Sequence, residues 1–151
     1  EDIVIEQEDY ILPFGKAWVL QEIWPQDDME TLSIITYGMG VHWAFNATKG
    51  MRGQVEIIDL RTLFPLDETT IMKSVKKTGK CLVVTEEPSN NSFALALAGK
   101  IQETCFKFLD APVMTIGSEN MPAIPLNSTL EETMIPSTEK VKAKIHQLMS
   151  Y

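Results

Sequence analysis

A chain of 151 residues, 44% hydrophobic and 23% charged, is long enough for one globular domain with a real buried core. Its formal net charge of −8 excludes the basic footprint that nucleic acid requires and argues equally against an anionic membrane surface. No apolar run approaches the ~20 residues needed to span a bilayer, and two cysteines, Cys81 and Cys105, form no disulfide framework and read as reduced thiols of a cytosolic protein.

Residues 1–10 are an acidic lead without the basic and apolar regions of a signal peptide. Residues 1–12 read as a linker from an upstream domain, and residues 13–151 as the folded domain. Residues 16–23 predict a strand, with Ala17, Val19 and Ile23 on one face and Trp18 and Leu20 on the other. The next strand, over 31–37, follows a connector too short for a helical crossover, so the two should run antiparallel. Gly38-Met39-Gly40 then turns into a helix with Val41, Ala44, Phe45 and Thr48 on one face.

The most sharply marked unit is central. Residues 55–60 form an apolar strand, and Asp67 is placed to cap a helix, with Leu66 and Ile71 spaced as a hydrophobic staple. Lys76 and Lys77 occupy the last turn of that helix and Gly79 ends it, directly before the apolar run 81–84. The strand over 80–85 ends in Glu86-Glu87-Pro88, and a polar loop leads into a long helix with Ala94, Ala98, Ile101, Cys105 and Phe108 in one stripe. Leu109-Asp110-Ala111-Pro112 breaks it before a short strand over 113–116. Residues 117–130 show no periodicity and read as a long connection. Ser137 caps a last helix whose Val141, Ile145 and Leu148 face inward, with Lys140, Lys142 and Lys144 on a solvated face. Five strands and four helices in this order predict a three-layer α/β/α sandwich with a five-stranded, mostly parallel sheet and an antiparallel first strand.

The chemistry-bearing residues are sparse. Neither His42 nor His146 has a Cys, Asp or Glu at a helical spacing suited to a metal, and no G-x-S-x-G is present. Cys105 lies among core positions and reads as a structural thiol. Gly38 and Gly40 could present backbone amides to an anion, or simply permit a tight strand-to-helix turn, which the missing third glycine and lysine favour. Glu86 and Glu87 stand at a strand's carboxyl end, but neighbours in an extended segment point opposite ways, so one should be hydrogen-bonded and the other solvated. Asp110 is either a docking contact or a cap for chain reversal. No catalytic, cofactor-binding or metal-ligating set emerges.

The run Val55-Glu56-Ile57-Ile58-Asp59-Leu60-Arg61-Thr62-Leu63-Phe64-Pro65-Leu66-Asp67 resembles a signature of the C-terminal domain of the transketolase superfamily, and more narrowly of the beta subunit of 2-oxo acid dehydrogenase decarboxylase components. Pro13-x-Gly15-Lys16-Ala17, Tyr37-Gly38 with Val41-His42, Ser74-Val75-x-Lys77-Thr78-Gly79 and Leu109-Asp110-Ala111-Pro112-Val113 agree in order. Gln102-Glu103-x-Cys105-Phe106 and the ending Leu148-Met149-x-Tyr151 are most similar to the branched-chain, 2-oxoisovalerate type. Two stretches depart from the pattern: Asn91-Ser92 stands where the family has two glycines, and the proline spacing of residues 119–125 is altered.

The resemblance implies a parent enzyme that uses thiamine diphosphate and Mg2+, decarboxylates a 2-oxo acid and passes the acyl group to a lipoyl arm, in the cytoplasm or, in a eukaryote, the mitochondrial matrix. It implies that this domain binds no cofactor and is catalytically silent alone. Its partners would be the upstream domains or alpha subunit, a second beta subunit or fused chain, and the subunit-binding module of the acyltransferase core. Asp110 and Tyr151 are the positions carried over to that last docking. Two alternatives stay open: the matching domain of a pyruvate-type decarboxylase, transketolase or deoxyxylulose-phosphate synthase, or a stand-alone module binding a nucleotide or anion at Gly38 and Gly40.

Overall fold

The computed structural model describes residues 11–24, 26 and 28–151, so the expectation of a linker falls almost wholly outside the described residues. The elements are β1 (Trp18–Gln21), β2 (Leu32–Thr36), α1 (Met39–Ala47), β3 (Val55–Asp59), α2 (Glu68–Thr78), β4 (Cys81–Pro88), α3 (Phe93–Cys105), β5 (Met114–Ser118), α4 (Ser128–Met134) and α5 (Thr138–Met149). The strands form one sheet in the order β1-β3-β2-β4-β5, parallel throughout except that β1 runs antiparallel to β3.

Period-two alternation in the central strands builds two cores. Leu32, Ile34, Val55, Ile57, Leu82 and Val84 face one side, under Ala44 and Ala47 of α1 and Val141, Ile145 and Leu148 of α5. Ile35, Ile58, Leu60 and Val83 face the other, under Ile71 and Val75 of α2 and Ala98, Ile101 and Cys105 of α3. The result is the expected three-layer α/β/α sandwich.

The polar residues of those strands pin helices. Ser33 Oγ lies 2.6 Å from Ser74 Oγ and 2.8 Å from Thr78 Oγ1 of α2, and the buried Glu56 carboxylate pairs with Lys77 of the same helix. Asp67 caps α2 as expected, accepting from the Thr70 N–H at 3.1 Å and the Thr70 hydroxyl at 2.8 Å, while Gly79 closes it at φ 74°.

Four local expectations need correction. The first strand extends only over Trp18–Gln21, with a register irregularity after Val19, and Ile23 makes an isolated bridge to Gly53. β1 and β2 run antiparallel as expected, without being neighbours. β3 lies between them, and crossing one strand is a step of about 10 Å that the connector easily spans. In α1, Phe45 is exposed and Trp43 is buried instead. The side toward the sheet is set by the small residues Gly40, Ala44 and Ala47, which lets the helix approach closely and turns Phe45 outward. The stripe of α3 is completed by Leu97 rather than Phe108, because the chain tightens into a 3-10 turn at Phe106–Phe108. The connection expected over 117–130 is not wholly irregular, since α4 begins within it at Ser128, capped by Asn127, whose Oδ1 accepts from the Thr129 and Leu130 N–H groups. Only Met134 of its seven residues is buried, which leaves no periodicity to read.

Candidate functional site

All parallel strands end at one edge of the sheet, where open α/β domains place ligands. Because β1 is antiparallel, the segment leading into it emerges at the same edge. A cleft of about 480 Å³ opens there between Trp18, the Tyr37–Gly38 turn, His42 in the first turn of α1, and Asp59 with Arg61 beyond β3. Asp59 organises it. Its Oδ1 accepts from the Arg61 N–H at 3.1 Å and its Oδ2 meets Arg61 Nε at 2.8 Å. That double contact holds Arg61 at φ 55°, a left-handed conformation uncommon outside glycine, with the guanidinium 5.1 Å from the Trp18 ring centroid.

Gly38 and Gly40, which the sequence leaves between an anion turn and the favoured tight strand-to-helix turn, have separate reasons to be glycine. Gly38 sits at φ 57°, ψ −133°, a region closed to side chains. Gly40 lies where a Cβ would come within 2.1 Å of Thr36 Oγ1 and 2.9 Å of the Val84 carbonyl oxygen, so it permits contact between α1 and the sheet. Both are accounted for by turn and packing.

Glu86 and Glu87 divide as expected. Glu86 is exposed, while Glu87 turns back to accept from the Phe93 N–H through Oε2 and the Ala94 N–H through Oε1, each at 2.9 Å. Ser92 Oγ takes the Leu95 N–H at 3.1 Å, so the first turn of α3 is capped by both residues. Tyr37 packs edge-on against Phe93, and burial together with the nearby Glu87 carboxylate pushes its hydroxyl pKa up. Asn91 stands at φ 53°, a left-handed conformation that asparagine tolerates and glycine adopts freely.

Asp110 belongs to the opposite, amino edge. It is exposed, its N–H donates to the Gly79 carbonyl at 2.8 Å, and its carboxylate lies over Gly79, where a Cβ would fall 2.1 Å from Oδ2. It fastens the reversal before β5 onto the end of α2. Tyr151 is also exposed; α5 starts beside the carboxyl end of β5, where the Glu119 N–H bonds the Met134 carbonyl, and runs back along the sheet. The structure therefore separates Asp110 from Gly38 and Gly40 by the length of the strands.

His42 and His146 are exposed, and among the described residues no three His, Cys, Asp or Glu side chains cluster to hold a metal. Cys81 and Cys105 are buried free thiols; burial pushes both upward in pKa, and Cys105 Sγ lies 3.5 Å from Met72 Sδ. Among the described residues no helix is long and apolar enough to cross a membrane.

What the carboxyl edge offers instead is apolar surface. Phe14 before β1 and Leu63 and Phe64 after β3 are exposed, as are Met39 at the start of α1 and Met121, Ile124 and Leu126 after β5. The one signal that sequence reasoning missed, Arg61 over Trp18, lies in the Asp59-Leu60-Arg61 spacing, where a carboxylate two residues back can hold both the backbone and the side chain of the arginine.

Residues 25–141 match the family described as "Transketolase, C-terminal domain". The chain is 35% identical over 150 residues to the 2-oxoisovalerate dehydrogenase subunit beta of Bacillus subtilis (strain 168), covering 97% of this chain and 44% of that protein. It is 33% identical over 137 residues to the pyruvate dehydrogenase E1 component subunit beta of Rhizobium meliloti (strain 1021), covering 89% of this chain and 28% of that one. It therefore spans less than half the length of either relative. Among solved structures, a split gene transketolase in an inactive beta4 tetramer matches with a TM-score of 0.71 at 17% identity, covering 95% of this chain and 45% of that chain, a likeness of fold.

Proposed function

We propose, on the premise that this chain belongs to the transketolase C-terminal domain family, that it is the assembly domain of a 2-oxo acid dehydrogenase beta subunit, or of a fused alpha–beta chain, of the 2-oxoisovalerate type. The parent enzyme decarboxylates a branched-chain 2-oxo acid and passes the acyl group to a lipoyl arm of the acyltransferase, in the cytoplasm or in a mitochondrial matrix. Thiamine diphosphate and Mg2+ serve that reaction elsewhere in the parent. The cleft at the carboxyl edge does not fit them, because Mg2+ wants free oxygen ligands and both oxygens of Asp59 are engaged by Arg61.

The observation that carries this reading is the exposed apolar surface on the carboxyl-edge loops, in the place where an α/β domain with its own chemistry would collect polar groups. The domain's work is then contact: with the upstream domains or alpha subunit, and with a second beta subunit or fused chain. Asp110 and Tyr151, away from that edge and exposed, are proposed to meet the acyltransferase's subunit-binding module.

The test is calorimetric. The 151-residue chain is expected to give no saturable heat with thiamine diphosphate and Mg2+, whereas the complete polypeptide with its alpha subunit binds both and decarboxylates 2-oxoisovalerate. Saturable cofactor binding by the 151 residues would overturn the proposal.

A further inference from the structure

Two short loops at the carboxyl edge are tied to each other and carry an apolar patch. The Gly15 N–H donates to Thr62 Oγ1 at 3.0 Å, Thr62 Oγ1 donates to the Pro65 carbonyl at 3.0 Å, and the Ala17 N–H donates to Asp67 Oδ2 at 3.1 Å. Gly15 and Pro65 touch so closely that a Cβ on Gly15 would lie 2.9 Å from Pro65 Cγ. The residues next to this contact, Phe14 and Phe64, are 87% and 96% exposed, and Ile11 and Leu63 extend the apolar surface on either side. A polar clamp therefore fixes two phenylalanines in the open, at some entropic cost, with nothing among the described residues over them.

We infer that this patch is the seat of the domain that precedes residue 11 in the same polypeptide, an inference that rests on the proposed function and assigns a surface to one of its partners. The chain accounts for 44% of the length of its Bacillus subtilis relative and matches a C-terminal domain, so more than half of such a polypeptide lies outside it. The segment by which the chain comes into the sheet, residues 11–17, is itself one wall of the patch. Ten extended residues reach at most ~35 Å, so whatever domain precedes them is held beside Phe14 and Phe64 at an effective concentration of order millimolar. Under that tether a small apolar contact suffices. A free second copy would need about 800 Å² on each partner, more than two phenylalanines and two aliphatic side chains provide.

Hydroxyl-radical footprinting of the complete native polypeptide, read residue by residue by mass spectrometry, tests this without any substitution. Phe14 and Phe64 are expected to be labelled at least tenfold more slowly than in the same polypeptide unfolded in urea, and to stay protected when the assembly is diluted into single subunits. Labelling near the unfolded rate in the intact assembly would overturn the inference. So would protection that is lost on dilution, since another subunit or a second copy would then be the cover. A native polypeptide of only 17.0 kDa would instead defeat the proposed function on which the inference stands.

Discussion

The two edges of this sheet are built to opposite specifications. At the amino edge, polar groups are spent on closing the domain: buried Lys80 pairs with Glu30, Thr31 Oγ1 donates to the Thr78 carbonyl at 3.1 Å, Ser33 bridges to Ser74 and Thr78, and Asp110 locks onto Gly79. At the carboxyl edge, the polar groups Asp59, Asp67 and Glu87 are spent on holding loops in shape, and those loops then turn apolar side chains outward. The first edge is closed by the chain's own polar contacts even though Trp24, Phe106 and Phe108 stay exposed there, whereas the second gathers its exposed apolar side chains on loops that such contacts brace. In a sheet whose carboxyl end usually carries the chemistry, apolar loops there signal a domain that works by contact.

The largest effect is expected at the amino-edge ion pair. Lys80 is 2% exposed and Glu30 62%, so Glu30→Ala strands a buried cation, whereas the reverse loss would leave only a solvated carboxylate. Glu30→Ala is expected to cost about 3 kcal/mol in urea unfolding. A loss below about 0.5 kcal/mol would show that the pair closes nothing.

A smaller effect is expected at Asp67. Burial works against its ionisation, yet the Ala17 N–H, the Thr70 hydroxyl and N–H, and Lys16 together outweigh it and hold the carboxyl below its ordinary pKa. A carboxylate so depressed stabilises the fold above the unfolded value, about 3.9, and that contribution drains away as pH falls through the lower folded value. Asp67→Ala should cost about 1 kcal/mol at pH 7. Urea midpoints of wild type and Asp67→Asn should converge as the pH is taken from 5 towards 2, and a gap that stays constant would contradict the assignment.

At the carboxyl edge, Phe64→Ser is expected to change folding stability by less than about 0.5 kcal/mol, since the ring touches solvent on nearly all sides. The same substitution in the full polypeptide should weaken assembly, measured by sedimentation. Equal destabilisation of both would erase the distinction between the edges. Asp110→Asn keeps the backbone bond to Gly79 and should leave stability within about 0.5 kcal/mol while weakening capture of the acyltransferase's binding module. Unchanged capture would remove Asp110 from that surface.

How much of this could be read beforehand depends on how local each cause is. The α2 unit was legible because Asp67, Leu66, Ile71 and Gly79 state both ends of the helix within a dozen residues, and each does its work there. The split between Glu86 and Glu87 followed from strand alternation alone. Strand adjacency did not, because β1 finds β3 rather than β2 through tertiary packing that no neighbouring residue announces. Phe45 misled because apolar character marks a buried face only where the helix stands off the sheet, and here Gly40 brings it close. The resemblance carried by residues 55–67 named the family, while the cleft of Trp18, Asp59 and Arg61 needed coordinates, since its walls come from three separated segments.

The most direct test is the mass and company of the native polypeptide, captured from cell extract by antibody to this domain. A chain well above 17.0 kDa is expected, bringing a second polypeptide with it or, if fused, carrying the alpha portion in the same chain. A single product at 17.0 kDa, alone, would contradict it.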